Sequence, residues 1–581
     1  MSSSTIIQAV RGDEFPRTFT AAVTDFGDWA QIEPLFAELA REIEAAQTPD
    51  DIEAWLLRDS ELNAALDEEY SRRYIAMTCA TDDDALEKAY IDFLENVVPH
   101  TKPWHDKNGR LYLAAIARAP LSPAQRDRLA VLDRGLANQV ELFREANIPL
   151  QTEDSKLGQQ YQKLNGAMMV TWRGEEKTLQ QMAPYMEDTD RAVREEAWRL
   201  VSARRLENAP SLNELFNQMV DLRTRIAKNA GFENFRDYRH QALNRFDYAP
   251  ADCLQFHEAI AATVVPLEAK LRARRQQQLG LGELRPWDLA VDPAGGAQLR
   301  PFAQPAELEE GCATIFNTLS PSLGEVFGLM RQRGLLDLGS RKGKAPGGYQ
   351  STLDEVRLPF IFMNAAGTNR DVFTLLHEGG HAFHAFASRQ EPLLSYRSAP
   401  IEFCEVASMS MELFGLNHLA TFYPDPADLL RAKTRHFEDL ITIFPWIAII
   451  DAFQHWIYTH PTHTPAEREA EWLRLDDRFS PGVTWAGLEA EHRAQWHRQL
   501  HLFEVPFYYI EYGIAQLGAL QLWLLFRQDP QAALAGYRRA LALGGSRPLP
   551  ELFAAAGIRF DFSAATLAPI MQAVAAELDL A

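Results

Sequence analysis

Three residues on one short segment have the types and spacing for metal chemistry. Within Phe373 to Ser388, FTLLHEGGHAFHAFAS, His377, Glu378 and His381 spell H-E-x-x-H. A helix turns about 100° per residue, so histidines four apart return to one face and can share a tetrahedral zinc, with Glu378 beside them to hold a proton of water. Phe373, Leu376, Ala382, Phe383 and Phe386 are apolar, as an interior helix requires. Gly379 and Gly380 each cost such a helix about 1 kcal/mol relative to Ala, which predicts that another backbone or a substrate passes close over that turn.

Two histidines do not complete a catalytic zinc site, which takes three protein ligands and leaves one position open. The extended pattern with a third histidine fails, because His384 stands at its glycine position and Ala387 at its last histidine. His384 is a competing ligand by spacing, although three ligands from consecutive turns of one helix close a tetrahedron poorly. A second segment, PIEFCEVASMSMELF from Pro400 to Phe414, offers Glu402, Glu405, Ser408 and Glu412 near helical spacing. Spacing alone leaves Glu402 and Glu405 both open as the third ligand. The one that does not ligate can accept a hydrogen bond from the outer nitrogen of a ligating histidine. Far downstream, in HLFEVPFYYIEYGIAQLGALQLW from His501 to Trp523, Tyr509 and Tyr512 are three apart and project to similar sides of a helix. Such hydroxyls suit an oxyanion near a zinc; taken alone, the run reads as a buried aromatic helix.

The elements that must position these residues are mostly helices. A chain of 581 residues exceeds what one core usually holds, so at least two packed regions are expected. The first 160 residues read as successive amphipathic helices, with TDDDALEKAYIDFLENV an example in which Thr81 or an early Asp caps the start. The pattern loosens between Glu153 and Arg191, which places an N-terminal helical lobe over 1–185 and the catalytic region over 186–581. Pro210, Ser211 and Glu214 read as a capped helix start, with Gly231 beyond its end. The basic, glycine-rich GSRKGKAPGGY, Gly339 to Tyr349, has Ala345 where a P-loop needs Ser or Thr. It reads as a mobile surface loop, or as a flap whose Gly347 and Gly348 backbone approaches a peptide. STLDEVRLPFIFMN, Ser351 to Asn364, reads as an edge strand because Pro359 lies inside it, able to pair with an extended peptide or to act as a local hairpin under the helix.

The formal charge of −22 argues against nucleic acid and anionic membrane as partners. Cys79, Cys253, Cys312 and Cys404 lack paired spacing, and MSSSTIIQAVRGDEF carries no basic and apolar export pattern, so a cytoplasmic location is expected. The apolar run Leu440 to Ile450 is too short for a membrane span and contains Pro445, which predicts a buried helix.

LLHEGGHAFH, then EFCEVASMSMELF, then H-x-F-x-x-P-F-Y-Y-I-E-Y, in that order, resemble the M3 family of zinc metallopeptidases, in its oligoendopeptidase F branch. The likeness runs from about Arg194 onward and includes RTRIAKNAGFENFRDY and APGGYQSTLDEVRLPF. It implies a mostly α, two-lobed peptidase with a deep central groove and a small β-sheet beside the active-site helix. It implies one zinc per chain on His377, His381 and Glu405, with Glu378 as general base. His501, Tyr509 and Tyr512 fall at the oxyanion and substrate side, with Tyr508 able to take the place of Tyr509. The implied activity is internal cleavage of short unstructured oligopeptides; a helical zinc carboxypeptidase and a catalytically silent peptide-binding protein are the alternatives.

Overall fold

The computed structural model describes residues 14–341, 343–345 and 347–580. The leader reading therefore falls almost wholly outside the described residues, and the 339–349 loop is described except at positions 342 and 346.

Helices dominate, and their starts follow from local chemistry. Thr48 and Asp51 form a capping box before Pro49–Cys79, with proline in the first turn where no N–H is needed. Asp83 caps Asp84–Asn96 by accepting from the N–H groups of Ala85 and Leu86. The start expected at Ser211 is different: the helix is Ala209–Asn229, opens at Asn208 without a side-chain cap, and contains Ser211 in its first turn. Proline 210 has a φ already suited to that turn, so the helix begins ahead of it. Helix Pro426–Thr459 is long and apolar enough to cross a membrane, but 72% of its most apolar window is buried inside the protein, as in a core helix.

Two compact units divide the chain, each assembled from separated stretches. One comprises 1–141, 299–432 and 515–560; the other comprises 142–298, 433–514 and 561–581. This division crosses the boundary expected at 185/186, because helices on both sides of that point belong to the second unit.

In the first unit, the N-terminal helices pack around Ile32, Phe36, Leu39, Trp55, Leu62 and Tyr112. Three strands complete it: β3 (Leu336–Gly339), β4 (Tyr349–Leu353) and β5 (Leu358–Ala365), in the order β3-β5-β4. Of the two readings offered for 351–364, the local hairpin is what forms: β4 and β5 pair antiparallel, with β4 at the edge and Pro359 in the central strand. The register explains how. Ile361 N–H points to the β3 side, 3.0 Å from Leu335 O, so the position of Pro359, two residues earlier, faces the same side. There β3 has not begun, since its first partner is Ile361. The missing donor meets no strand, and Pro359 is locally at an edge.

The 339–349 loop is pinned. Lys344, its side chain fully enclosed, donates to Asp337 Oδ1 (2.9 Å), to the carbonyls of Asp337 and Gly339 (2.9 Å each) and to Met363 O (2.5 Å). Ala345 N–H reaches Thr78 O, and Asn364 Nδ2 reaches the carbonyls of Ala345 and Gly347. The second unit holds an antiparallel hairpin, β1 (Met169–Trp172) with β2 (Glu175–Thr178), in the stretch where periodicity loosens.

Candidate active site

The H-E-x-x-H segment is the middle of helix Asn369–Ala387, opened by a Thr368–Asp371 capping box. Glu405 lies on helix Ile401–Gly415. The two glycines explain how these helices meet. A Cβ on Gly380 would stand 2.5 Å from Ser408 Cα and 2.6 Å from Ala407 O, so only glycine lets the Glu405 helix pass at that turn. Gly379 instead receives the Phe316 ring, 2.6 Å from the place of its absent Cβ. The close backbone passage predicted over that turn is therefore the Glu405 helix at Gly380.

At this crossing His377, His381 and Glu405 offer ligand atoms all within 4.8 Å of one another. Glu405 Oε2 is 3.3 Å from His377 Nε2 and 3.7 Å from His381 Nε2. His377 Nδ1 donates to Glu412 Oε1 at 2.8 Å, since a carboxylate only accepts, which leaves Nε2 as the ring nitrogen that faces the cluster. Glu412, not Glu402, thus takes the orienting role that sequence spacing offered to the carboxylate left over. Ser408 Oγ steadies Glu405 from the other side, 3.0 Å from Oε2. Burial pushes Glu405 up, but the hydrogen bond from His377, the neighbouring imidazoles and Ser408 outweigh it and hold the carboxyl at about 2. Burial pushes His381 down to about 4. Two imidazoles and an ionised carboxylate converging on one point are a donor set that fits zinc.

Glu378 is buried beside them. Burial raises its carboxyl to about 7; His377 and a hydrogen bond from the Gln350 backbone oppose the rise, while Glu405 and Glu412 add to it. The β4–β5 register shows why Gln350 is available. Gln350 and Thr352 stand opposite Ile361 and Pro359, in pairs whose N–H and C=O groups point away from each other, so the outer edge of β4 presents Gln350 and Thr352. His384 is outside the ligand cluster: it is buried against Phe403, and burial pushes it down to about 3.

The downstream residues form their own cluster in the second unit. His501 ring contacts reach Tyr509 (4.8 Å between centroids), Tyr512 (5.8 Å) and Tyr508 (5.9 Å). Trp446 Nε1–H donates to Gln499 Oε1, which turns the amide NH2 of Gln499 to His501 Nδ1 at 2.7 Å. Nδ1 therefore accepts, and the neutral ring carries its proton on Nε2 as a donor. Burial pushes His501 down to about 4, which keeps it neutral. Burial raises the Tyr509 phenol and the neighbouring Trp446, Arg498 and Gln499 oppose the rise; Tyr509 is buried, whereas Tyr508 and Tyr512 are half-buried.

Two buried arginines that sequence reasoning passed over hold this cluster. Arg223 donates to the carbonyls of Leu502 (3.0 Å) and Phe503 and to the Tyr458 hydroxyl (2.8 Å). Arg245 donates to Phe507 O and to Glu511 Oε1 (2.7 Å), while Phe507 N–H donates to Gln454 Oε1 (2.6 Å). Between them Phe507 sits at φ +67°, a left-handed conformation costly for a phenylalanine. The clamp sets the turn from which Tyr508, Tyr509 and Tyr512 depart. Arg223 had a signal: it interrupts the apolar stripe of Phe216, Met219, Val220, Ile226 and Ala227 with a charge that is itself 0% exposed.

The chain is mostly helical and carries its His-His-Glu cluster at a glycine-permitted helix crossing, with a small sheet in the same unit. The profile of peptidase family M3 matches residues 184–571, and the chain belongs to that family. Oligopeptidase PepF of Bacillus subtilis (strain 168) is 25% identical over 304 residues, 51% of this chain and 44% of that protein. An oligoendopeptidase F homolog of Borreliella burgdorferi is 25% identical over 257 residues, 42% of each. The match thus spans under half the length of these relatives. Solved structures extend the likeness over the fold. PZ peptidase A with an inhibitor has a TM-score of 0.88 at 28% identity, covering 97% of this chain and 99% of that one. A putative oligoendopeptidase F has 0.87 at 29%, with the same coverage. The chain is of the oligoendopeptidase F branch.

Proposed function

We propose that this chain is a zinc-dependent endopeptidase that cuts internal bonds of short unstructured peptides, acting in the cytoplasm with one zinc per chain. The observation that carries the reading is the convergence of His377 Nε2, His381 Nε2 and Glu405 Oε2 beside a buried carboxylate, Glu378. The names of its relatives, oligopeptidases and oligoendopeptidases, support the substrate class.

His377, His381 and Glu405 would hold the metal, with Glu412 fixing the His377 ring. A zinc ion there supplies Lewis acidity, acidifying water and polarising a scissile carbonyl. Glu378 accepts the proton of the attacking water on its carboxylate and passes it to the leaving amine. The family resemblance assigns the His501 ring and the Tyr512 hydroxyl to the oxyanion and Tyr509 to the substrate side, and a neutral His501 with Nε2–H can serve there as a donor. An extended peptide lies along the outer edge of β4, where Gln350 and Thr352 present main-chain groups. That edge reads backbone rather than one side chain, and a folded domain cannot offer it an extended strand without local unfolding.

The test is metal analysis followed by digestion of one peptide blocked at both ends, with and without a chelator. Chelator-sensitive internal cleavage at one zinc per chain is the expected result. Cleavage only after the C-terminus is unblocked would assign a carboxypeptidase, and bound peptide with no cleavage a silent binder.

A further inference from the structure

Beside His381 the first unit encloses a cavity of about 550 Å³, within the range of ligand pockets. One wall is the Pro49–Cys79 helix, which presents Asp59, Asn63 and Asp67 at four-residue intervals, hence as one stripe. Asp354, just past β4, adds a third carboxylate. None of Asp59, Asp67 and Asp354 forms an ion pair among the described residues.

The arginines of the same cavity are differently placed. Arg397 gives its three guanidinium nitrogens to the carbonyls of Glu391, Asp354 and Pro392 at 2.8–3.0 Å. Arg357 donates to Arg389 O and lies 3.9 Å over the Phe15 ring, and Arg389 is paired with Glu14. The cations spend their donors on protein carbonyls and Glu14, whereas the carboxylates form no ion pair, with Asn63 beside Asp59 and the Arg397 and Arg357 charges in the neighbourhood of Asp354.

A second, independent observation points to a ligand. Asn108, 2% exposed and lining the cavity, has no hydrogen-bond partner for either Oδ1 or Nδ2, and His384 Nε2, 4% exposed and lining it too, has none. Buried polar atoms are nearly always satisfied, so these orphans call for a polar guest. The remaining capacity leans to acceptors, three carboxylates and an amide oxygen against one amide NH2, with the His384 nitrogen taking either role by tautomer.

We propose that this cavity receives a long basic side chain, arginine or lysine, of the peptide being cut, held by Asp59, Asp67 and Asp354. The proposal rests on the peptidase reading above. An ammonium or guanidinium offers only donors, three or five of them, which matches such walls. The cavity opens beside both a metal-ligand histidine, His381, and Gln350 and Thr352 of the edge strand. A peptide paired with that edge sends alternate side chains to the same side, so one residue near the scissile bond reaches the cavity. Burial pushes the carboxyl of Asp59 up to about 7, a cost that a bound cation offsets, while Asp67 lies at the exposed end of the same stripe.

The experiment scans a quenched fluorescent peptide, one position at a time on either side of the cut, over Arg, Gln and Glu, and compares kcat/KM. At one position the zinc-loaded full-length protein prefers Arg to Glu by about tenfold or more. Asp67→Asn shrinks that ratio, and Asp67→Lys reverses it. Ratios within about twofold at every position, or an Arg preference undiminished in both variants, overturn the proposal. A separate arm reads affinity by fluorescence anisotropy, using labelled Arg and Glu peptides on the Glu378→Gln protein. Tighter binding of the Arg peptide without any turnover in wild type would keep the pocket and remove the peptidase reading; equal affinities would remove the pocket alone.

Discussion

Replacing Gly380 by alanine tests whether the helix crossing builds the metal site. In an unobstructed helix the change would stabilise by about 1 kcal/mol. Here the new Cβ meets Ser408 Cα at 2.5 Å and Ala407 O at 2.6 Å, both backbone atoms that no rotamer change can move. Ordinary contact begins at 3.4 Å, so the Glu405 helix must retreat by about 0.9 Å, in an interior packed too tightly to absorb it. Glu405 retreats with it, while His377 and His381 stay on the motif helix. A shift of that size in one of three ligands should weaken zinc by about 10- to 100-fold, as loss of an orienting partner does, and lower the melting temperature. Gly379→Ala is the control, because its obstruction is the Phe316 ring, a side chain that can rotate. Competition with a chromogenic chelator reads the affinities, and far-UV circular dichroism verifies the fold. Wild-type zinc affinity together with raised stability in Gly380→Ala would refute the reasoning.

Glu378→Gln should keep near-stoichiometric zinc and lose several orders of magnitude in turnover, whereas His381→Ala loses the metal; equal zinc loss in both would make Glu378 a ligand. Glu412→Ala frees the His377 ring and should weaken zinc by about 10-fold or more, measured by the same chelator competition. Tyr512→Phe should lower kcat by about 10²-fold with KM little changed, and a rise in KM alone would move Tyr512 to substrate binding. Lys344→Met should cost about 3 kcal/mol in a denaturant melt, the lower end for breaking a buried pair because Arg341 still faces Asp337. Burial pushes Asp337 up, but bonds from Arg341, Lys344 and Cys79 prevail and hold it at about 2. Its depressed value means that the tie stabilises above the unfolded carboxyl's pKa near 4 and is lost as pH falls from about 4 towards 2, so acid melts should converge for wild type and variant.

Chemistry carried on one helix was legible in the sequence, because helical spacing alone places His377, His381 and Glu378, and the apolar residues around them mark an interior helix. The third proposed ligand lies on a second helix, where spacing left Glu402 and Glu405 open and only the family resemblance separated them. The contact that decides, Gly380 against Ala407 and Ser408, joins residues 27 and 28 positions apart and has no local periodicity. Glu412 was visible on the right helix, but its partner nitrogen was not. Arg223 and Arg245 were missed because a buried arginine that serves carbonyls looks, in sequence, like any surface charge. Pro359 misled for a related reason: its edge character depends on where β3 begins, more than twenty residues earlier.

The interleaving of the first unit has a consequence for biosynthesis. Ala407, which crosses Gly380, has its carbonyl bonded by the Tyr537 hydroxyl at 2.9 Å, and a Cβ on Gly518 would stand 2.8 Å from Val406 Cγ2. The helix bearing Glu405 is thus covered by residues translated more than a hundred positions later. On the ribosome, the motif helix and its partner must wait for 515–560 before their packing is complete, with apolar faces open to chaperones meanwhile. A recombinant piece cut at 185/186 would lack residues 1–141 of the same unit and should not stand as an independent catalytic half.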